Sequence, residues 1–128
     1  MTHANNLFFV LGCVSAALGI GAGAFGAHAL KKLLVPEMLA VYETAVHYQM
    51  YHSFGLIAVG VVQHLFGATS RTRLSGWCFV AGISLFSGSL YALTLTNITW
   101  LGAITPFGGV AFIAGWVFLA FSLSRTKL

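Results

Sequence analysis

The sequence predicts an all-α integral membrane bundle of four transmembrane helices, the second extended at its N-terminal end. Three observations predict it. Hydrophobic residues make up 59% of the 128 and charged residues 6%, against about 25% charged in an ordinary globular domain. Six basic and two acidic side chains cannot cover a soluble domain of this size, so the bilayer is the solvent. The apolar residues fall into four runs, and the bases flank those runs: Lys31 and Lys32, Arg71 and Arg73, Arg125 and Lys127. Flanking bases are the pattern of topology signals and lipid headgroup contacts. A nucleic-acid reader would cluster its bases with exposed aromatics on one face, so nucleic acid is excluded as a partner.

Each span follows from its own residues. Helix one covers about 7–29 and is rich in small residues, with Gly19 and Gly23 in a G-x-x-x-G spacing that lets two backbones approach closely. Gly26, Gly88 and Gly109 are further expected packing positions. The second apolar run, 53–66, is too short to cross a ~30 Å core alone. It becomes long enough if the helix begins near Pro36, a residue suited to a first turn, giving a span of about 37–64. Helix three covers about 74–96, with Ser84, Ser87 and Ser89 expected to bond back to carbonyls of their own helix. Helix four covers about 106–123, with Thr105 as a cap and Pro106 in the first turn. The short connections make successive helices antiparallel neighbours. One domain, 1–128, holds all four.

Topology follows from charge. With four spans, Arg71, Arg73, Arg125 and Lys127 lie on the side of the N-terminus and Lys31 and Lys32 on the other. The positive-inside rule puts both termini in the cytoplasm. The leading residues Met1 to Asn6 contain no base, and the first apolar run exceeds the ~7–15 residues of a signal peptide. The N-terminal run is therefore expected to be a retained helix. Cys13 and Cys78 each sit inside an apolar run and read as free thiols.

The candidate site is the stretch from Tyr42 to Ser53. It contains Glu43, one of only two acids, together with His47, Tyr48, Tyr51 and His52. Glu43, His47 and Tyr51 share one helical face at i, i+4 and i+8, and Tyr48 and His52 form a neighbouring pair. So polar a face is too costly for lipid tails and should turn inward or lie among headgroups. Glu43 with His47 can be a structural polar pair, a proton relay or two metal ligands. If the pair is buried, Glu43→Ala should cost roughly 1–3 kcal/mol. His28 with His47 or His52 would suit bis-histidine haem ligation if all three lie at one level. Tyr48, Gln49, Tyr51 and His52 suit a quinone or headgroup site, or simply an interfacial aromatic belt. No hydrolase elbow, zinc-protease motif or phosphate loop is present, and the chain contains no Asp. No metal and no cofactor is called for by spacing.

Four blocks together carry a resemblance. They are Gly23-Ala24-Phe25-Gly26-Ala27-His28-Ala29-Leu30, Glu43-Thr44-Ala45-Val46-His47-Tyr48-Gln49-Met50-Tyr51-His52, Phe86-Ser87-Gly88-Ser89-Leu90-Tyr91, and Ile104-Thr105-Pro106-Phe107-Gly108-Gly109 with Gly115-Trp116. In this order, over nearly the whole chain, they resemble the domain of unknown function 423 family, related to transmembrane protein 256. The resemblance implies a small four-span protein of bacterial inner membranes, with mitochondrial relatives in eukaryotes and no established activity. It also implies Arg in many relatives where His47 stands, which would make that position a charge partner of Glu43.

The expected role is a non-enzymatic structural or interaction protein. Its partners are the bilayer and either a second copy or a larger membrane complex. The alternatives are a small-solute or proton carrier using Glu43 and His47, and a haem- or quinone-binding accessory subunit of a respiratory complex.

Overall fold

The computed structural model describes residues 6–124. The basic tail residues Arg125 and Lys127, and His3, lie outside the described residues. Among the described residues the chain is all-helical, with no strand. The helices are α1 (Leu7–His28), α2 (Pro36–Phe66), α3 (Ser70–Gly82), α4 (Gly88–Thr96) and α5 (Thr105–Ser124). A single π-helical stretch, Ile83–Ser87, joins α3 to α4, and short 3₁₀ turns occupy Leu30–Lys32 and Thr99–Ala103.

Three helical stretches are long and apolar enough to cross a membrane: Leu7–Lys32, Ser70–Thr96 and Thr99–Ser124. α2 differs in composition rather than length. Its 31 residues extend about 46 Å at 1.5 Å per residue, but it carries Glu37, Glu43, His47, Gln49, His52 and Gln63.

The helix ends have local causes. Pro36 opens α2, where its missing N–H breaks no helical bond. Gly67, at φ +85°, closes α2 with its N–H on the Gln63 carbonyl, a conformation open to glycine. Asn97, at φ 59°, closes α4 on the Leu93 carbonyl. α3 starts at Ser70 rather than near 74. Thr69 accepts from the Thr72 N–H, and the Thr72 hydroxyl accepts from the Thr69 N–H, a reciprocal cap that recruits an extra turn. Thr105 is the first residue of α5 and Pro106 the second.

Packing is organised around α2. α1 lies antiparallel along it, α3, the π stretch and α4 lie against another side of it, and α5 packs on α3 and the π stretch. The crossings are close because glycine stands at them. A Cβ at Gly60 would lie 2.7 Å from the Phe9 nitrogen, and one at Gly12 would lie 2.7 Å from the Ser53 carbonyl oxygen. At Gly26 it would strike the Tyr42 ring, and at Gly19 the Met50 sulfur. Gly23 is looser, 3.3 Å from a Val46 methyl. On the other side Gly108, not Gly109, takes the backbone of Phe86, and Gly88 and Gly109 leave room for a side chain. The buried apolar core comprises Phe8, Leu56, Val59, Phe79, Phe112 and Leu119, with a second group of Leu30, Tyr42 and Val46 nearer the α1–α2 turn.

Candidate functional site

Successive residues of a helix turn by about 100°, so the polar residues of Tyr42 to Ser53 divide among different faces of α2. The face towards α1 holds a buried network. Gln49 Nε2 donates to the Ser15 carbonyl at 2.9 Å, and the Tyr91 hydroxyl of α4 donates to Gln49 Oε1 at 2.6 Å. One amide side chain thus joins three helices. Ser53 Oγ lies 2.6 Å from the Gln49 carbonyl and 2.7 Å from Ser15 Oγ. The Tyr42 hydroxyl donates to the Ala22 carbonyl at 2.7 Å, and its ring meets Tyr91 edge-on at 5.2 Å. At the end of the π stretch, Ser87 Oγ donates to the Ala45 carbonyl of α2 at 2.7 Å. Of the three helix-three serines, Ser84 and Ser89 bond back to Val80 and Phe86 as expected, while Ser87 crosses to α2. No buried side-chain polar atom lacks a partner among the described residues.

The face towards α5 holds His52 in an aromatic box. Its ring stacks on Phe112 with centroids 3.4 Å apart and planes at 8°, with Phe79 at 5.6 Å and Trp116 at 5.9 Å. Its Nδ1 lies 2.6 Å from the Tyr48 carbonyl. A carbonyl only accepts, so Nδ1 carries the proton. Tyr48 stacks on Phe86 at 4.4 Å and lies edge-on to Tyr51 at 5.8 Å.

Of the two placements expected for the third face, inward or among headgroups, the structure does not show the inward one. Glu43, His47 and Tyr51 do share a face, and the His47 and Tyr51 rings stack at 6.4 Å. That face turns away from α1, α3, α4 and α5: all three residues are exposed, Tyr51 by 56%. The physical reason is angular. Gln49, Ser53 and Tyr42 take the α1 side, and Ala45, His52 and Gly55 take the other packed side, leaving the Glu43 side free. Depth sharpens the point. Gly26 meets Tyr42, Gly23 meets Val46 and Gly19 meets Met50. Glu43 is therefore level with the last turn of α1, and Tyr51 lies about 12 Å further along α2, level with the middle of α1.

The same register separates the histidines. His28 is exposed at the end of α1, whereas His52 is level with Ser15 and buried. They are about 20 Å apart along the axis, too far to ligate one iron. No group of three or more metal-ligating side chains comes together among the described residues. The residues that hold the site together, Ser15, Gln49, Ser53, Ser87 and Tyr91, were mostly missed as members of one network. The available signal was a glutamine and serines inside apolar runs, where each must find a partner.

A family model described as a protein of unknown function, DUF423, matches residues 22–109. The chain belongs to the DUF423 family. The matched region includes Gln49, Ser53, Ser87 and Tyr91 and the outer Glu43 face of this DUF423 member, while Ser15 precedes it. A UPF0382 membrane protein of Staphylococcus haemolyticus is 50% identical over 117 residues, covering 91% of this chain and 93% of its own. One from Staphylococcus saprophyticus is 49% identical over 114 residues, covering 88% and 92%. The UPF0382 membrane protein YwdK of Bacillus subtilis is 46% identical over 113 residues, again covering 88% and 92%. No solved structure gives a significant match. DUF423 membership, relatives named as membrane proteins and three apolar helices agree that this is a membrane protein.

Proposed function

We propose that this DUF423 protein is a non-enzymatic membrane component, a four-span bundle of the bacterial plasma membrane that associates with itself or joins a larger complex. On this reading α2 is the fourth span, and both termini face the cytoplasm. The observation that carries the proposal is the exposed face of α2, where His47 and Tyr51 stand level with the apolar part of α1 and Glu43 level with its last turn. A carboxylate and an imidazole facing acyl chains cost several kcal/mol. A second protein surface removes that cost. The buried side of α2 explains the rest: Gln49, Ser53, Tyr42 and Ser87 lock the helices in one register and leave the outer face fixed in orientation.

The arrangement gives a carrier little support. Glu43 and His47 lie on the outer surface instead of along an internal path, and glycine contacts close the α1–α2 interface at four positions. The deciding measurement is the particle mass in mild detergent, with identification of co-purifying proteins after gentle extraction. An oligomer or a defined hetero-complex is expected. A stable monomer without partners would end the proposal.

A further inference from the structure

The free face of α2 has a spacing that the Glu43–His47–Tyr51 stripe only begins to reveal. Ala40, His47, Phe54 and Val61 recur every seven residues. Thr44, Tyr51, Ala58 and Leu65 recur every seven residues between them. Together they form one stripe along α2 from residue 40 to residue 65, in the steps of four and three that a left-handed two-helix coil can use as its seam. The exposure agrees: Thr44 and Ala58 are half-buried and the other six are exposed, with Phe54 at 59% and Leu65 at 65%. The six exposed positions stay uncovered by the other helices of the chain, with Val61 and Leu65 bordering a groove beside Phe9 of α1.

We infer that this seam pairs with the same seam of a second copy, forming a two-fold dimer through parallel α2 helices. The inference rests on the reading that the protein associates through this face, and it names the partner. Two copies inserted with one topology must be related by an axis along the membrane normal, which makes their α2 helices parallel. A self-complementary seam is what such an axis requires. The small residues Ala40, Thr44 and Ala58 permit close approach, while Phe54, Val61 and Leu65 supply the apolar knobs.

The polar end of the seam is satisfied by the same geometry. Glu43 stands one place before Thr44, at the flanking position that in a parallel pair meets the residue five places on in the other helix. That residue is the partner's Tyr48, a phenolic donor for the carboxylate. Thr44 enters the hole between Ala40, Glu43 and His47 of the facing helix. The group most costly to leave in lipid thus gains a donor from the second copy. An unrelated membrane helix would need its own donor at that position and a matching seven-residue period.

Cysteine scanning in native membranes tests the register. In a Cys13→Ser, Cys78→Ser chain, Phe54→Cys and Val61→Cys should form oxidant-driven dimers, because facing seam positions fall within the ~4.4–6.8 Å Cα range of a disulfide. Leu18→Cys on α1 and Val117→Cys on α5 should not. Adding Glu43→Leu to Phe54→Cys should weaken self-association roughly threefold to thirtyfold, the range of interhelical polar bonds. Dimers that form at the α1 or α5 positions and not at the seam overturn the inference and leave self-association standing. A hetero-complex of defined mass without seam dimers overturns it in favour of a different partner. Monomers in membranes and in mild detergent overturn both. An unchanged yield with Glu43→Leu overturns the part of the inference that gives the carboxylate its donor from the second copy.

Discussion

Gln49 shows how one side chain fixes a membrane fold. Its amide donates to α1 and accepts from α4, so each arm restrains a different neighbour of α2. Tyr91→Phe removes a single hydroxyl and leaves Gln49 Oε1 without its donor in an apolar interior. The variant should lose about 1–2 kcal/mol of stability, read as a lower unfolding midpoint in detergent. A midpoint equal to the parent's would show that the amide finds another donor. Glu43 behaves in the opposite sense. Its exposed position withdraws the ~1–3 kcal/mol expected for a buried pair, so Glu43→Ala should leave the unfolding of the isolated subunit unchanged while weakening association. The sequence made both residues conspicuous but not their directions. A period of 3.6 places Glu43, His47 and Tyr51 together, yet it does not say which face meets a neighbour. That depends on where α1 and α5 lie, which α2 alone does not encode.

The elements were legible where local chemistry decides them and less so where contacts do. Pro36 and the apolar run marked α2 as one long helix, which the structure shows as Pro36–Phe66. The π stretch Ile83–Ser87 left no comparable local signal. It aligns Ser87 with the Ala45 carbonyl and Gly108 with the Phe86 backbone, both long-range contacts. The glycines divide in the same way. G-x-x-x-G picked out Gly19 and Gly23, but the tightest backbone approaches in helix one and helix two are at Gly12 and Gly60, whose partners lie on another helix. Gly60→Leu should therefore separate α1 from α2. With the Phe9 backbone 2.7 Å from the added carbon, the cost should reach at least the ~1–3 kcal/mol typical of overpacking. Gly21→Leu is the control, since nothing lies within 4 Å of its added carbon. The measurement is the recovery and melting of folded protein in detergent, where only the Gly60 variant should fall.

At the scale of the molecule, lipid as solvent accounts for the whole division of residues. Leu18, Ile20, Phe107 and Val110 are each exposed by 65% or more, which water would penalise and acyl chains accept. Every buried polar side-chain atom among the described residues has a partner, while Glu43, His47 and Tyr51 stand on the outer face of α2. Orientation is then set at the loops. Arg71 and Arg73 lie at the start of α3, with Arg71 donating to the Phe121 carbonyl near the end of α5, so the α2–α3 turn and the C-terminal end of α5 share one level. Lys31 and Lys32 lie at the other end, beyond α1. On the proposed topology, bases retained in the cytoplasm would hold Arg71 and Arg73 inside, and Glu37 would offset the lysines opposite. A cysteine replacing Ala68 in a Cys13→Ser, Cys78→Ser chain should resist a membrane-impermeant thiol reagent in intact cells and react after lysis. A cysteine replacing Leu33 should react in intact cells. The reverse pattern would invert the molecule, and equal labelling of both sites from outside would remove α2 as a span.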